Sequence, residues 1–442
     1  MIVILGGGPA GRFAAMHLAG AGKDVTLIEK GGIGGQCLHS GCMPVCALGD
    51  VARLLKQSRN LADLGVVAPP SEIDFPRLLA EMAKIQEKIA GILDAETRKA
   101  GVTILYGKEA RLSGKTVMVG NEVLTPDAVI AATGSRPRIP EVPGADRPGI
   151  FSPKTIPKMG ELPENLVIVG GGIMAAEYAH IFHAFGCHID LVARSCFLKD
   201  LDPHVRILAR KELSGVVIHE NADLLGFTGG NRVSAVAIRD ETGDAAIPAD
   251  AVLLAAGLVP NSGMLDGVAK RRNGEVIVDD HMRTNVPGVY AAGDVTGPPN
   301  LTPVARHEGI VAAENILGKD AAADYRAIPQ SMHLFNECAF VTPPEEGAAP
   351  VLIPSPAGPG SFWQVPTSGT GIAKLFVDPG TGKIEGFYSA APGAGLVGTY
   401  LSFLMRQGVT VQEMGDIPEV HPSTDGLYWL IRYCADRMKE RE

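Results

Sequence analysis

At 442 residues the chain exceeds what one hydrophobic core usually serves, so roughly two to four domains are expected. An apolar fraction of 46% with 20% charged residues excludes a disordered or fibrous chain, while 54 Gly and 32 Pro point to many tight connections. Lys and Arg total 40 against 49 Asp and Glu, a net charge of −9 that argues against nucleic acid or anionic lipid as a partner.

The opening Met1-Ile2-Val3-Ile4-Leu5 passes straight into glycines with no basic segment or cleavage site, so no secretion signal is expected. No apolar run approaches the roughly 20 residues of a membrane helix. Seven cysteines, an odd and modest number, argue against a secreted disulfide scaffold and for a reducing, cytoplasmic setting.

The first predicted element is a strand ending at Leu5. Gly6-Gly7-Gly8-Pro9-Ala10-Gly11, an Ala-rich helix, Gly22 and a second strand, Val25-Thr26-Leu27-Ile28-Glu29, come after it. The same order returns without a gap as Ile168-Val169-Gly170-Gly171-Gly172-Ile173-Met174-Ala175, a helix, Gly186 and Ile189-Asp190-Leu191-Val192-Ala193. A lone glycine fingerprint would be weak, but strand, glycines and helix twice at matching offsets predict two βαβ nucleotide-binding units. Gly6, Gly8, Pro9, Ala10 and Gly11 in the first, and Gly170, Gly172, Ile173 and Met174 in the second, would form the turns. There the backbone approaches a pyrophosphate at the positive end of a helix.

Aligning the halves exposes one difference. The first unit ends its second strand on Glu29, with Lys30 beside it, a carboxylate suited to the hydroxyls of an adenosine ribose. The second has Ala193 there, then Arg194 and, further on, Lys199. A carboxylate repels a 2′-phosphate and a guanidinium pairs with it, so the second unit is read as binding NADPH, with NADH possible. The first is read as binding a dinucleotide with a free ribose, such as FAD.

Between the units lies Gly34-Gly35-Gln36-Cys37-Leu38-His39-Ser40-Gly41-Cys42-Met43-Pro44, then the helical-looking Val45-Cys46-Ala47-Leu48. Residues five apart on an ideal helix sit roughly 8–9 Å apart, so a Cys37–Cys42 bridge requires a broken first turn, which Gly41 permits. Thiols at a helix N-terminus have depressed pKa values and can cycle between dithiol and disulfide. Zinc ligation by Cys37, His39, Cys42 and Cys46 is a competing reading, but the spacing fits no common zinc pattern and no metal site is expected. Buried structural cysteines are the other. Redox chemistry is favoured.

With this cysteine motif placed just after a dinucleotide unit, the sequence resembles the pyridine nucleotide-disulfide oxidoreductases, the family of dihydrolipoamide dehydrogenase, glutathione reductase and mercuric reductase. Ala132-Thr133-Gly134-Ser135-Arg136-Pro137, Ala256-Gly257-Leu258-Val259-Pro260-Asn261, Thr284, Val289-Tyr290-Ala291-Ala292-Gly293-Asp294-Val295 and Leu301-Thr302-Pro303-Val304-Ala305 extend the likeness over nearly the whole chain. The resemblance implies an α/β fold with two Rossmann-like dinucleotide-binding domains, for FAD and NAD(P), plus a C-terminal α+β dimerisation domain. The implied boundaries are 1–140 and 258–324 for the FAD domain, 141–257 for the NAD(P) domain and 325–442 for the last. Gly35, Gln36, Ala110, Thr133, Gly134, Asp294, Leu301, Thr302, Pro303 and Ala305 would serve FAD, and Gly257 the nicotinamide nucleotide.

The activity implied is hydride transfer from NADPH through FAD to a Cys37–Cys42 disulfide, and on to a small-molecule or protein disulfide. Cys42 would lie against the flavin and the more exposed Cys37 would attack substrate. His421, in Glu419-Val420-His421-Pro422 at the start of a helix, would come from the partner subunit as acid/base, making the working form a homodimer.

Three departures touch the chemistry. The family usually has a lysine four residues after the second cysteine, paired with a glutamate. Here Cys46 stands opposite Glu177, so that ion pair cannot form and the Glu177 pKa should rise. The glutamate expected five residues after His421 is Gly426, with Asp425 one position short as either an orienting carboxylate or a helix N-terminal charge. Leu258 replaces an arginine. The tail carries Cys434 alone rather than a vicinal pair, which weighs against mercuric ion reduction. An NAD(P)H oxidase, a quinone or metal-ion reductase, and a non-enzymatic redox-sensing flavoprotein are the alternatives.

Overall fold

The computed structural model describes residues 1–70, 72–344, 349–351, 372–418 and 426–440. The first unit runs β1 (Ile2–Leu5), α1 (Pro9–Gly20), β2 (Val25–Glu29), α2 (Gly35–His39), α3 (Cys42–Asp63), α4 (Phe75–Lys99) and β3 (Thr103–Tyr106). A small meander comes next, β4 (Ala110–Ser113), β5 (Thr116–Val119) and β6 (Glu122–Leu124), then β7 (Ala128–Ala131) and β8 (Ser135–Pro137). The second unit comprises β9 (Ile150–Phe151), β10 (Asn165–Val169), α5 (Ile173–Ala184), β11 (His188–Val192), α6 (Pro203–Glu212) and β12 (Val217–His219). It continues through β13 (Asp223–Thr228), β14 (Ala235–Asp240), β15 (Gly243–Pro248) and β16 (Ala251–Leu254). The chain returns by β17 (Leu258–Pro260), β18 (Leu265–Asp266), β19 (Val289–Ala291) and α7 (Thr302–Ile316).

Two parallel sheets carry the design. One has the order β19-β7-β1-β2-β3 and the other β12-β11-β10-β16-β9. β1 pairs with β2 and β7 from Ile2↔Val25 and Ile2↔Ala128, and β10 pairs with β11 and β16 from Asn165↔His188 and Leu166↔Ala251. All four residues of β1 and of β7 are buried, as expected of strands covered on both faces and built of unbroken apolar runs. β19 joins the first sheet beside β7, so the whole second unit is inserted between two neighbouring strands of the first.

The helices take their places by shape. α1 opens with Pro at its first position, where the missing N–H costs nothing, and lies so close to α7 that a Cβ on Gly309 would sit 2.2 Å from the Ala10 carbonyl oxygen. α5 is buried from Ala175 to Phe182, sandwiched between its sheet and α3, with Glu177 and His180 enclosed among its apolar side chains. Phe75 at the head of α4 meets Phe182 and Phe185 at centroid distances of 6.0 and 6.1 Å and ties the units together.

The C-terminal region is an antiparallel sheet, β20 (Gln330–His333), β21 (Glu337–Val341), β22 (Ala349–Val351), β23 (Ile372–Val377) and β24 (Ile384–Ala390), in the order β20-β21-β24-β23-β22. α8 (Ala394–Gln407), α9 (Val411–Gly415) and α10 (Gly426–Lys439) accompany it. The stretch 343–359, which reads as a loop from its prolines, contains β22; pairing with β23 overrides local composition there. The helix expected to open at His421-Pro422 is described only from Gly426, and His421 and Asp425 lie outside the described residues. Among the described residues no helix is long and apolar enough to cross a membrane.

Candidate active site

The two glycine turns are built alike. Gly6 has φ +106°, and a Cβ there would meet the Ala132 carbonyl oxygen at 2.3 Å. Gly170 has φ +150°, and its Cβ would meet the Ala255 carbonyl oxygen at the same 2.3 Å. Only glycine lets each strand hand over to its helix beneath the neighbouring strand. Neither α1 nor α5 has a side chain capping its N-terminus, which leaves first-turn N–H groups for a pyrophosphate. Gly35 approaches Gly8 so closely that a Cβ would lie 2.7 Å from the Gly8 Cα, which brings Gln36 and the thiols to the same turn.

Cys37 sits in the short helix α2, and Cys42 is the first residue of α3, after a break at Ser40-Gly41 where Gly41 has φ −118° and ψ −116°. The two thiols are coupled across the Ser40-Gly41 break. Their interaction pushes the Cys37 pKa up, with burial adding to it, and pulls the Cys42 pKa down, helped by Thr302 and the α3 backbone. The Thr302 hydroxyl lies 3.5 Å from Cys42 Sγ. The thiolate of this pair therefore rests on Cys42. Cys37 is half-buried, and Cys42 faces the groove toward Thr302 and Asp294.

That groove holds a half-buried carboxylate, Asp294. Burial raises the Asp294 pKa against the hydrogen bond that Ser135 Oγ donates at 2.7 Å. Thr133 Oγ1 donates to the Asn261 carbonyl at 2.7 Å, Asn261 Nδ2 donates to the Thr133 carbonyl at 3.0 Å, and β8 pairs with β17. The motifs at 132–137 and 256–261 thus lock to each other at the junction of the units. Leu301, Thr302, Pro303 and Ala305 form the lead-in and first turn of α7. A cleft between the units is lined by Gln36 and Ser40 on one side and Met174, Ala255, Gly257 and Leu258 on the other. Leu258 is an apolar lip of that cleft.

Residues 1–309 match the pyridine nucleotide-disulphide oxidoreductase family. The chain belongs to that family. It is 36% identical over 372 residues to a dihydrolipoyl dehydrogenase of Vibrio cholerae, covering 78% of this chain and 76% of that protein. It is 30% identical over 441 residues to a mercuric reductase of Acidithiobacillus ferrooxidans, covering 94% and 79%. The crystal structure of LpdA from Mycobacterium tuberculosis superposes with a TM-score of 0.86 at 25% identity, covering 98% of this chain and 99% of that one. As a pyridine nucleotide-disulphide oxidoreductase the chain is a flavoprotein enzyme using FAD and NAD(P)H. Its residues fit FAD: an uncapped helix behind a glycine cradle, and a half-buried carboxylate with a single side-chain partner among the described residues where the family places the ribityl chain.

In this member of the family Glu29 is held at both oxygens, by Gly7 N–H and Gly31 N–H at 2.6 Å each, and keeps further acceptor sites for a ribose. Lys30 pairs with Glu109 at 3.3 Å, placing Ala110 at the same rim. Arg194 is exposed just beyond β11 and enters no ion pair among the described residues, whereas Lys199 pairs with Asp200 at 3.0 Å.

Cys46 lies one turn below Cys42 in α3, within electrostatic reach of Cys42 and Glu177, and its pKa is raised chiefly by burial. Glu177 is buried in α5. Desolvation lifts its pKa to about 7, against the backbone N–H of His333, which donates to it at 2.9 Å. The expected rise is present, and the missing cation is replaced by a backbone donor. Sequence reasoning missed His333, since nothing local marks a residue 156 positions away. It also missed Arg306, whose charge acts on Cys37.

Proposed function

We propose that NADPH docks at Gly170–Ala175 with Arg194 on its 2′-phosphate, and that its reducing equivalents leave through a Cys37–Cys42 disulfide to reduce a small-molecule or protein disulfide. FAD, held by the first glycine turn, Gly35, Gln36, Thr133, Gly134, Asp294 and the head of α7, supplies the two-electron relay between nicotinamide and sulfur. The thiolate of Cys37 attacks one sulfur of the substrate and expels the other; Cys42 then attacks Cys37 of the mixed disulfide, releasing the second thiol and restoring the protein disulfide. Thr302 and the α3 N-terminus favour the thiolate at Cys42.

The observation that carries this reading is the placement of Cys42 at the first residue of α3, 3.5 Å from the Thr302 hydroxyl, with Cys37 across the Ser40-Gly41 break. The insertion of β9–β16 between β7 and β19 supports an FAD domain of 1–140 and 258–324 around an NADPH domain of 141–257, with an interface domain at 325–442. The working form is a homodimer. Leu396 and Phe403, 80% and 60% exposed, share a face of α8 with Tyr400, an apolar stripe suited to a second copy. His421 of the partner subunit would move the proton of the departing thiol, and Asp425 would orient it. A reducing cytoplasm suits thiols that must be regenerated.

The test is trapping. Anaerobic protein is treated with iodoacetamide before and after one equivalent of NADPH and analysed by mass spectrometry. Cys37 and Cys42 should label only after NADPH. NADPH consumed with both cysteines still protected would overturn the reading.

A further inference from the structure

Arg306 lies four residues after Thr302 on α7, one turn along the same face. Thr302 points that face at the thiols through its 3.5 Å contact with Cys42 Sγ. The Arg306 charge acts on Cys37 in the direction of the thiolate, the least of the named influences there, against a net rise set by Cys42 and burial. Its guanidinium stands 5.0 Å from the centre of the Phe13 ring, which fixes an otherwise flexible side chain against α1. Arg12 is also 5.8 Å from that ring, but its charge is taken by Glu96 at 2.5 Å. Arg306 is exposed and makes no ion pair among the described residues. In a chain of net charge −9, a braced, unpaired cation thus faces solvent one turn from Thr302, on the face of α7 that meets the thiols.

A guanidinium so placed does two things. It holds negative charge on Cys37 while that sulfur attacks or departs, and it offers a planar pair of donors to an anionic group carried by the incoming disulfide. A cationic disulfide meets repulsion at the same point.

We infer that Arg306 is a specificity-determining residue, and that the substrates of this enzyme are disulfides bearing a carboxylate a few bonds from the sulfur. This rests on the disulfide reductase reading above. Arg306 contacts the substrate's carboxylate, while the bonds made and broken remain those of the Cys37–Cys42 exchange.

The experiment uses the FAD-loaded full-length enzyme with NADPH and three small disulfides: 3,3′-dithiodipropionate, a dianion; bis(2-hydroxyethyl) disulfide, neutral; and cystamine, a dication. The parent should rank them in that order by kcat/KM, with a dianion-to-neutral ratio that falls as salt rises. Arg306→Gln should lower that ratio about tenfold and Arg306→Lys should keep most of it. A parent active on disulfides but with the same ratio in Arg306→Gln overturns this inference alone, whereas a parent that reduces no disulfide overturns the function it rests on. A second readout needs no turnover. In NADPH-reduced protein, the rate of Cys37 alkylation by iodoacetate relative to iodoacetamide should fall several-fold in Arg306→Gln. An unmoved ratio there also overturns the inference.

Discussion

The two βαβ units are one design put to two uses. Gly6 and Gly170 make the same 2.3 Å approach to a neighbouring strand, and both helices start without a side-chain cap. They differ at the end of the second strand, Glu29 pinned by two N–H groups in one and an exposed Arg194 in the other, and in the charge each helix buries. Arg12 of α1 is paired with Glu96, while Glu177 of α5 has only the His333 N–H among the described residues. The lesson is that backbone geometry makes a dinucleotide site and a few side chains decide which dinucleotide it takes and what its helix does to nearby charge.

Breaking the shared turn gives the largest effect. Gly6→Ala places a Cβ against backbone at positive φ, so the protein should be recovered without flavin and destabilised by about 2–4 kcal/mol, read by absorbance and thermal melting. Gly170→Ala should stay yellow yet lose at least about a hundredfold in the rate of reduction by NADPH, read by stopped flow. Flavin lost from the second variant but not the first would reverse the assignment of the units.

Next comes the end of the second strand. Arg194→Ala should cut kcat/KM for NADPH roughly tenfold to a hundredfold and leave NADH within about threefold, as expected for loss of one charge-assisted contact. Equal losses on both nucleotides would remove the 2′-phosphate from the account.

The unpaired carboxylate gives an intermediate effect with a definite sign. Burial raises the Glu177 pKa from 4.5 to about 7, so the folded state binds the proton more tightly than the unfolded. The associated stability is complete below pH 4.5 and is lost as pH rises through about 7, at most about 3 kcal/mol. Glu177→Gln, which cannot ionise, should therefore melt above the parent at pH 8 and near it at pH 4.5. Cys46→Lys should restore the pairing, lower the Glu177 pKa and alter the rate of flavin reduction by NADPH; an unchanged rate would contradict a role for this pair. The smallest effect is Lys199→Ala. Its exposed pair with Asp200 should be worth under about 0.5 kcal/mol in stability and under about threefold in KM for NADPH.

Much of this was legible in the sequence because it is local. Glycines, Pro9, the strand-end residue and the Cys37–Cys42 spacing lie within short windows whose geometry is set by backbone sterics. The rise in the Glu177 pKa was also foreseeable, since removing a cation from a buried carboxylate has one outcome. The features that were not legible depend on distant chain segments. His333 reaches Glu177 across 156 residues, and Arg306 meets Phe13 only because α7 crosses α1. β22 was hidden by prolines that its partner strand tolerates.

The most direct test of the central claim, that electrons reach the Cys37–Cys42 pair from the flavin, is an anaerobic NADPH titration of the FAD-loaded enzyme followed at long wavelength. A thiolate-to-flavin absorbance band should appear with one equivalent of NADPH and be absent in Cys42→Ser. Bleaching of the flavin with no such band in the parent, or an identical band in Cys42→Ser, would contradict it.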